Sequence, residues 1–280
     1  MSKTMEMGSV KVPDSHIERT GYIELQEPCN VPGHEKYNLW HFNDEIICPR
    51  CESERRSKKF STQATKKQFE STKEGRKLFL KNNSILHDRS LLNKGIKDYI
   101  NKNDTESDIK KHTHTVVKEV LKNNRNVFMV GPPGVGKTHL MMGMLKNINE
   151  LGDSKKCLFV SMPKLLSEMK ESFNKKYTDQ KTSADYLNLL VEADVLGLDD
   201  IGSELSMNSN KQASNFTVDT LYNILNAREN KTTIFTSNLS LDELSLILDA
   251  RTVSRIKSNL LLMDFNGITD KREYEYTLKK

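Results

Sequence analysis

The sequence predicts an α/β domain built on a doubly wound parallel sheet, preceded by a small cysteine-bearing module. Five short apolar runs alternate with helical patterns after about Leu91, and a glycine-rich turn separates the first run from the next helix. Three of the four cysteines crowd near the N-terminus, at Cys29, Cys48 and Cys51. With 280 residues and 36% hydrophobic side chains, the chain can bury one substantial core and carry a smaller module besides. No internal repeat of solenoid period occurs, so one large domain is the simplest parse.

Residues 1–21 are polar and aperiodic, with too little apolar surface to offset the entropy of ordering, and are expected to form a disordered tail. The first twelve residues lack the apolar core of a secretory signal, and no run of about 18 or more apolar residues occurs, so a cytoplasmic location without membrane contact is expected.

Residues 22–54 place Trp40, Phe42, Ile46 and Ile47 between the cysteines, too little apolar surface to fold unaided. Cys29 and His34 form one close pair, and Cys48 and Cys51 form another thirteen residues later. Two such pairs of soft or borderline ligands suit tetrahedral Zn²⁺, and the turns Pro32-Gly33 and Pro49-Arg50 let each pair chelate. His41 is a rival for the histidine position, and a redox Cys-x-x-Cys or free thiols are the alternatives to metal. Cys157 begins an apolar run and reads as packing.

Residues 55–84 are expected to be a basic helical connector. Ten Lys or Arg lie between Arg55 and Lys81 against only Glu70 and Glu74, and Phe69, Leu78, Phe79 and Leu80 supply a helical face. The total charge of +5 permits nucleic-acid binding without arguing for it.

Residues 85–280 carry the strand candidates, at 127–130, 158–161, 195–199, 233–237 and 260–265. After the first comes Gly131-Pro132-Pro133-Gly134-Val135-Gly136-Lys137-Thr138, followed by a helical pattern, which is the context that a phosphate-binding loop requires. Glycines let backbone N–H groups turn toward phosphates, and the helix behind presents its positive end. Lys137 would reach the β- and γ-phosphates of ATP, and Thr138 would ligate Mg²⁺. His139 also borders the nucleotide, as a helix residue rather than a ligand.

The third run ends in Asp199-Asp200. Asp199 would hold Mg²⁺ and Asp200 would orient and deprotonate the attacking water, the alternative being a plain strand-end turn. The fourth ends in Thr236-Ser237-Asn238 and should lie beside the third, bringing Asn238 to the γ-phosphate or the lytic water. Arg251 and Arg255 share one helix face, and either could be an arginine finger supplied by a neighbouring subunit.

This ordered set resembles the AAA+ superfamily over about residues 85–272, and within it the DnaC/DnaI-type helicase loaders of bacteria and phages; transposition helper ATPases of the IstB type share the core. The resemblance implies an AAA+ P-loop ATPase domain with a five-stranded parallel sheet flanked by helices, a zinc-binding N-terminal module and a truncated lid. It also implies ATP, Mg²⁺ and Zn²⁺ as cofactors, hydrolysis that is weak until subunits assemble, and self-association in the ATP-bound state. Ser254-Arg255 resembles the family's finger motif, which puts Arg255 ahead of Arg251, and residues 267–272 resemble its closing segment. The implied partners are a hexameric replicative DNA helicase and the single-stranded DNA onto which it is delivered. Lys170, Phe173, Lys175, Lys176 and Tyr177 mix basic and aromatic groups suited to that strand, or form an ordinary solvated face. A DNA-coating transposition helper and an ATP-sensing adaptor that scarcely hydrolyses are the competing readings.

Overall fold

A computed structural model describes residues 4–7, 10–13, 23–42, 45–174, 181–203 and 215–272. The chain divides into two compact units, Met1–Phe69 and Glu70–Lys280.

In the first unit, β1 (Thr4–Met7) pairs antiparallel with β2 (Val10–Pro13), so the stretch expected to be a formless tail contains a pair of strands. An antiparallel sheet follows, of β3 (Ile23–Pro28), β4 (Asn38–Phe42) and β5 (Glu45–Ile47). Side chains alternate across it. Trp40, in register with Glu24 and Ile47, is buried, whereas His41 stands in the neighbouring row with Ile23 and Ile46, which are 62% and 61% exposed. Helix α1 (Pro49–Ser71) starts on a proline, whose fixed φ suits the first turn. Its start at Pro49 moves the expected boundary between zinc module and connector: Cys51 and the basic residues from Arg55 to Lys67 lie on one continuous helix.

In the second unit, α2 (Lys73–Asn83) is capped by the Thr72 hydroxyl, which accepts from the Gly75 N–H, and it buries Phe79 and Leu80. The end of the expected connector is therefore part of the large core, and the ATPase unit begins near Glu70 rather than at 85.

The central sheet holds β6 (Asn126–Val130), β7 (Cys157–Ser161), β8 (Val195–Asp199), β9 (Thr232–Ser237) and β10 (Leu260–Asp264), all parallel, in the order β10-β6-β9-β8-β7. Each strand lies within one residue of its expected bounds. The helices of this unit continue with α3 (Asp104–Lys122), α4 (Lys137–Leu151), α5 (Met162–Asn174), α6 (Ser183–Glu192), α7 (Asn215–Ala227), α8 (Leu241–Ile247) and α9 (Ala250–Lys257).

Period-two alternation sorts the strand side chains into two cores. Val127, Met129, Phe159, Val195 and Ile234 pack with Val117 of α3 and Met141 and Leu145 of α4. Phe128, Leu158, Val160, Leu196, Leu198 and Phe235 pack with Leu165 of α5, Leu190 of α6 and Ile224 of α7. Both faces are covered, which is why the strands read as apolar runs rather than as alternating patterns. The strand order sets the carboxyl ends of β6, β9 and β8 side by side, the crevice where open α/β sheets bind ligands. No helix among the described residues is long and apolar enough to cross a membrane.

Gly197 lets α4 approach β8: a Cβ there would lie 2.7 Å from Met141 Sδ and 2.9 Å from Leu145 Cδ1. Gly197→Ala should lower the unfolding free energy by about 1–3 kcal/mol through overpacking, seen as a lower denaturant midpoint at unchanged slope.

Candidate functional site

The chain leaves β6 through a loop that Gly134 (φ 83°) and Gly136 (φ 95°) shape in the left-handed region. Both are also crowded from outside the loop: a Cβ on Gly134 would sit 2.0 Å from Asp270 Oδ1, and one on Gly136 would sit 2.7 Å from the Tyr99 ring. Lys137, the first residue of α4, folds its side chain back. Its ammonium donates to Gly131 O at 2.6 Å, Pro132 O at 2.8 Å and Asn238 Oδ1 at 2.8 Å. Burial depresses the Lys137 pKa to about 8, against the opposing pull of Asp199 and Asp200; the Arg272 charge depresses it further.

Asp199 ends β8 and is buried. Its Oδ1 accepts from Thr138 Oγ1 at 2.8 Å and from Thr236 Oγ1 at 2.6 Å. Burial raises the pKa of this carboxyl despite those two bonds, and the neighbouring Asp200 adds to the rise. A divalent cation would reverse that effect, and the oxygen pair Thr138 and Asp199 suits Mg²⁺. Asp200 adopts φ 63° at the strand end, with its N–H bonded to Thr236 Oγ1 at 2.8 Å. Thr236 therefore holds both acids, a role not assigned to it from sequence. The structure brings together Lys137, Thr138, Asp199, Asp200 and Asn238, as the motif order predicts.

His139 faces elsewhere: its Nε2 lies 2.9 Å from Gly95 O, and its ring meets Tyr99 edge to face. Arg251 and Arg255 lie away from the chain's own loop. Arg255 pairs with Glu229 at 2.6 Å and donates to Asn226 Oδ1 at 3.0 Å, and its backbone carbonyl accepts from Asn126 at the opposite end of β6 from the loop. Arg251 is 76% exposed, with its guanidinium 4.9 Å from the centre of the Tyr222 ring. Neither serves the chain's own loop, so any action on a phosphate would be on a neighbouring subunit's.

Sequence reasoning also missed Tyr99 and the detail of the closing segment, which packs on the loop through Lys271 N–H to Gly134 O at 3.0 Å. The GxxxxGK[ST] pattern carries no information on what braces it from outside.

In the first unit, Cys29, His34, Cys48 and Cys51 bring their ligand atoms within 4.8 Å of one another. Cys29 Sγ and Cys51 Sγ are 3.7 Å apart. That separation matches the edge of about 3.8 Å expected for a tetrahedron with Zn–S bonds of about 2.3 Å. His34 turns Nδ1 to Cys51 Sγ at 3.1 Å and Nε2 to Glu54 Oε2 at 3.2 Å, the outer carboxylate partner common at zinc histidines. His41, on β4 in register with Ile23 and Ile46, is not among the residues of this cluster. Desolvation, with the Cys29 and Cys48 thiols, pushes Cys51 up to about 12, so the crowded thiols need a cation before all can ionise. Cys157 is fully buried in the core, as expected.

Residues 76–261 match the family model of the IstB-like ATP binding protein. The chain belongs to this family. Among solved structures, the IstB-like chain is similar to DnaI, with 25% identity, 65% of this chain and 95% of that one covered, and a TM-score of 0.52. It is also similar to the DnaC helicase loader, with 26% identity, 63% and 99% coverage, and a TM-score of 0.52. No curated protein matches. The IstB-like match runs from within α2 to the start of β10, confirms with the solved structures the AAA+ P-loop fold, and leaves the Cys/His cluster outside it.

Phe173 is 66% exposed and meets Phe216 edge to face at 5.9 Å, with Lys170 Nζ 5.7 Å from the Phe216 ring. Lys175, Lys176 and Tyr177 lie outside the described residues.

The Lys137 environment predicts a pH dependence. Bound phosphate raises the pKa of the lysine, so below about pH 8 the group is charged with or without nucleotide, and ATP affinity is flat. Above that, binding must recruit a proton, and affinity measured calorimetrically should fall by up to about tenfold per pH unit; a flat profile to pH ~10 would contradict this. For the cluster, the purified protein should contain stoichiometric zinc, and Cys48→Ser should lose both the metal and the folded N-terminal unit; retention of the fold by metal-free protein would refute the assignment.

Proposed function

We propose that this protein is an ATP-dependent loader that binds a hexameric replicative DNA helicase and delivers it onto single-stranded DNA, acting in the cytoplasm. The observation that carries the reading is the likeness to DnaI and to the DnaC helicase loader over nearly the whole of those chains, joined here to an N-terminal Cys/His cluster.

At the nucleotide site, Lys137 exchanges the Gly131 and Pro132 carbonyls for phosphate oxygens when ATP enters, while Asn238 keeps its other side in place. Thr138 and Asp199 would hold Mg²⁺, which would supply positive charge against the phosphates when bound. Asp200, set in a tight turn by Thr236, takes the proton of the attacking water, and Asn238 orients that water. Arg255, released from Glu229, reaches the site of an adjacent subunit in an ATP-bound assembly and stabilises the transferring phosphoryl group. Hydrolysis is accordingly slow in the isolated chain.

The zinc cluster stabilises the N-terminal unit, for which helicase docking is the role we favour. Lys170, Phe173 and Phe216 offer charge and stacking to single-stranded DNA.

Two measurements test this reading together. The protein should capture a hexameric replicative helicase in a nucleotide-sensitive manner; capture of a transposase or coating of duplex DNA would instead support the transposition-helper reading. Asp200→Asn should lower turnover in the assembled state by about 10²–10⁴ while leaving ATP affinity nearly unchanged. Equal, negligible turnover by both proteins would point to an ATP-sensing adaptor.

A further inference from the structure

Two segments far apart in sequence grip the outer side of the phosphate loop. Tyr99, which is buried, donates its hydroxyl to Val135 O at 3.2 Å. The closing segment donates the Phe265 N–H to Val130 O at 2.7 Å and the Lys271 N–H to Gly134 O at 3.0 Å. The Lys271 side chain then locks the two segments to each other. Its ammonium donates to Ile100 O at 2.7 Å, lies 4.4 Å from the centre of the Tyr99 ring, and pairs at 3.0 Å with Glu106, whose side chain is wholly buried near the start of α3. Glu106 also accepts the Lys102 N–H at 2.8 Å.

Peptide planarity turns this outer grip into an effect on the inner face. In a trans peptide the carbonyl of one residue and the N–H of the next point in opposite directions, and the described residues contain no cis bond. Holding Gly134 O outward with Lys271 therefore aims the Val135 N–H inward, and holding Val135 O outward with Tyr99 aims the Gly136 N–H inward. These are N–H groups that a phosphate loop offers to its ligand. A loop with glycines at 131, 134 and 136 has wide backbone freedom, so its resting shape depends on what fixes it from outside.

We propose that Lys271 is a positioning residue for nucleotide binding: with Glu106 as its buried counter-charge and Tyr99 beside it, it pins the closing segment against the loop and presets the Val135 and Gly136 N–H groups for the phosphates. The pair touches no phosphate itself. The brace acts through loop geometry, so it affects ATP and ADP equally, since both carry the phosphates that the N–H groups cradle.

The test uses the full chain. Lys271→Met alone would strand the Glu106 charge in the interior and could unfold the protein. The informative variants are therefore the double change Lys271→Met with Glu106→Gln, and Tyr99→Phe, which deletes a single hydroxyl. Calorimetric affinities for Mg-ATP and Mg-ADP should fall by about tenfold in the double variant and about threefold in Tyr99→Phe, in the same ratio for both nucleotides. The melting temperature without nucleotide should change little in Tyr99→Phe, and Lys271→Arg should recover most of the affinity. If Tyr99→Phe and the double variant both bind ATP within about twofold of wild type, the brace is structural only and the proposal fails. A selective loss of ATP with ADP unchanged would also overturn it, because a γ-phosphate effect does not come from these N–H groups.

Discussion

A buried cation organises the nucleotide site. The Lys137 ammonium is withdrawn from water at the junction of three strand ends, and an unpaired charge there would be strongly unfavourable. Two loop carbonyls and the Asn238 amide oxygen solvate it, so the lysine ties the loop after β6 to the end of β9. The same arrangement leaves it poised: those acceptors are neutral, and a phosphate oxygen is a better partner for an ammonium. Asp199 is the complementary case, a buried anion with two hydroxyl donors. Neither charge has an ion-pair partner in direct contact among the described residues, and MgATP would supply one to each.

The sheet order explains why Lys137, Asp199, Asp200 and Asn238 gather at one site while Arg255 does not join them. With β9 between β6 and β8, everything at the carboxyl ends of these strands converges on the loop. Arg255 sits by Asn226 and Glu229, just before β9 begins, and so lies at the other end of the sheet. A side chain cannot cover that separation, so Arg255 does not serve the phosphate loop of its own chain.

The parts legible in sequence were those encoded by short-range pattern. Strands buried on both faces are apolar runs, and the five were placed to within a residue; the phosphate loop and the Asp199-Asp200 strand end are local strings whose residue types follow from their chemistry. The choice of His34 over His41 needed the fold, since only the assembled ligand atoms show that His34 and not His41 joins the three cysteines. The start of the ATPase unit was set too late because Phe79 and Leu80 look like the end of a basic helix until β7 and its neighbours are there to bury them. Tyr99, Lys271 and Glu106 gave no signal, because their contacts join segments distant in sequence, 36 residues from Tyr99 to Val135 and 171 from Lys271 to Ile100.

The first unit is a segment so poor in apolar side chains that a metal would matter to its stability. Trp40 is its one buried aromatic among the described residues, and α1 is exposed along most of its length. Ion pairs such as Arg50 with Glu54 and Arg56 with Glu52 are exposed to solvent and add little to a helix. Nucleating the first turn is the costly step. Cys51 and Glu54 both lie in the first two turns of α1, one in the cysteine cluster and the other on the far nitrogen of His34. Metal bound there would fix those turns directly and leave the rest of the basic helix to propagate, so ordering of the helix would be coupled to the chemistry of the four side chains of the cluster.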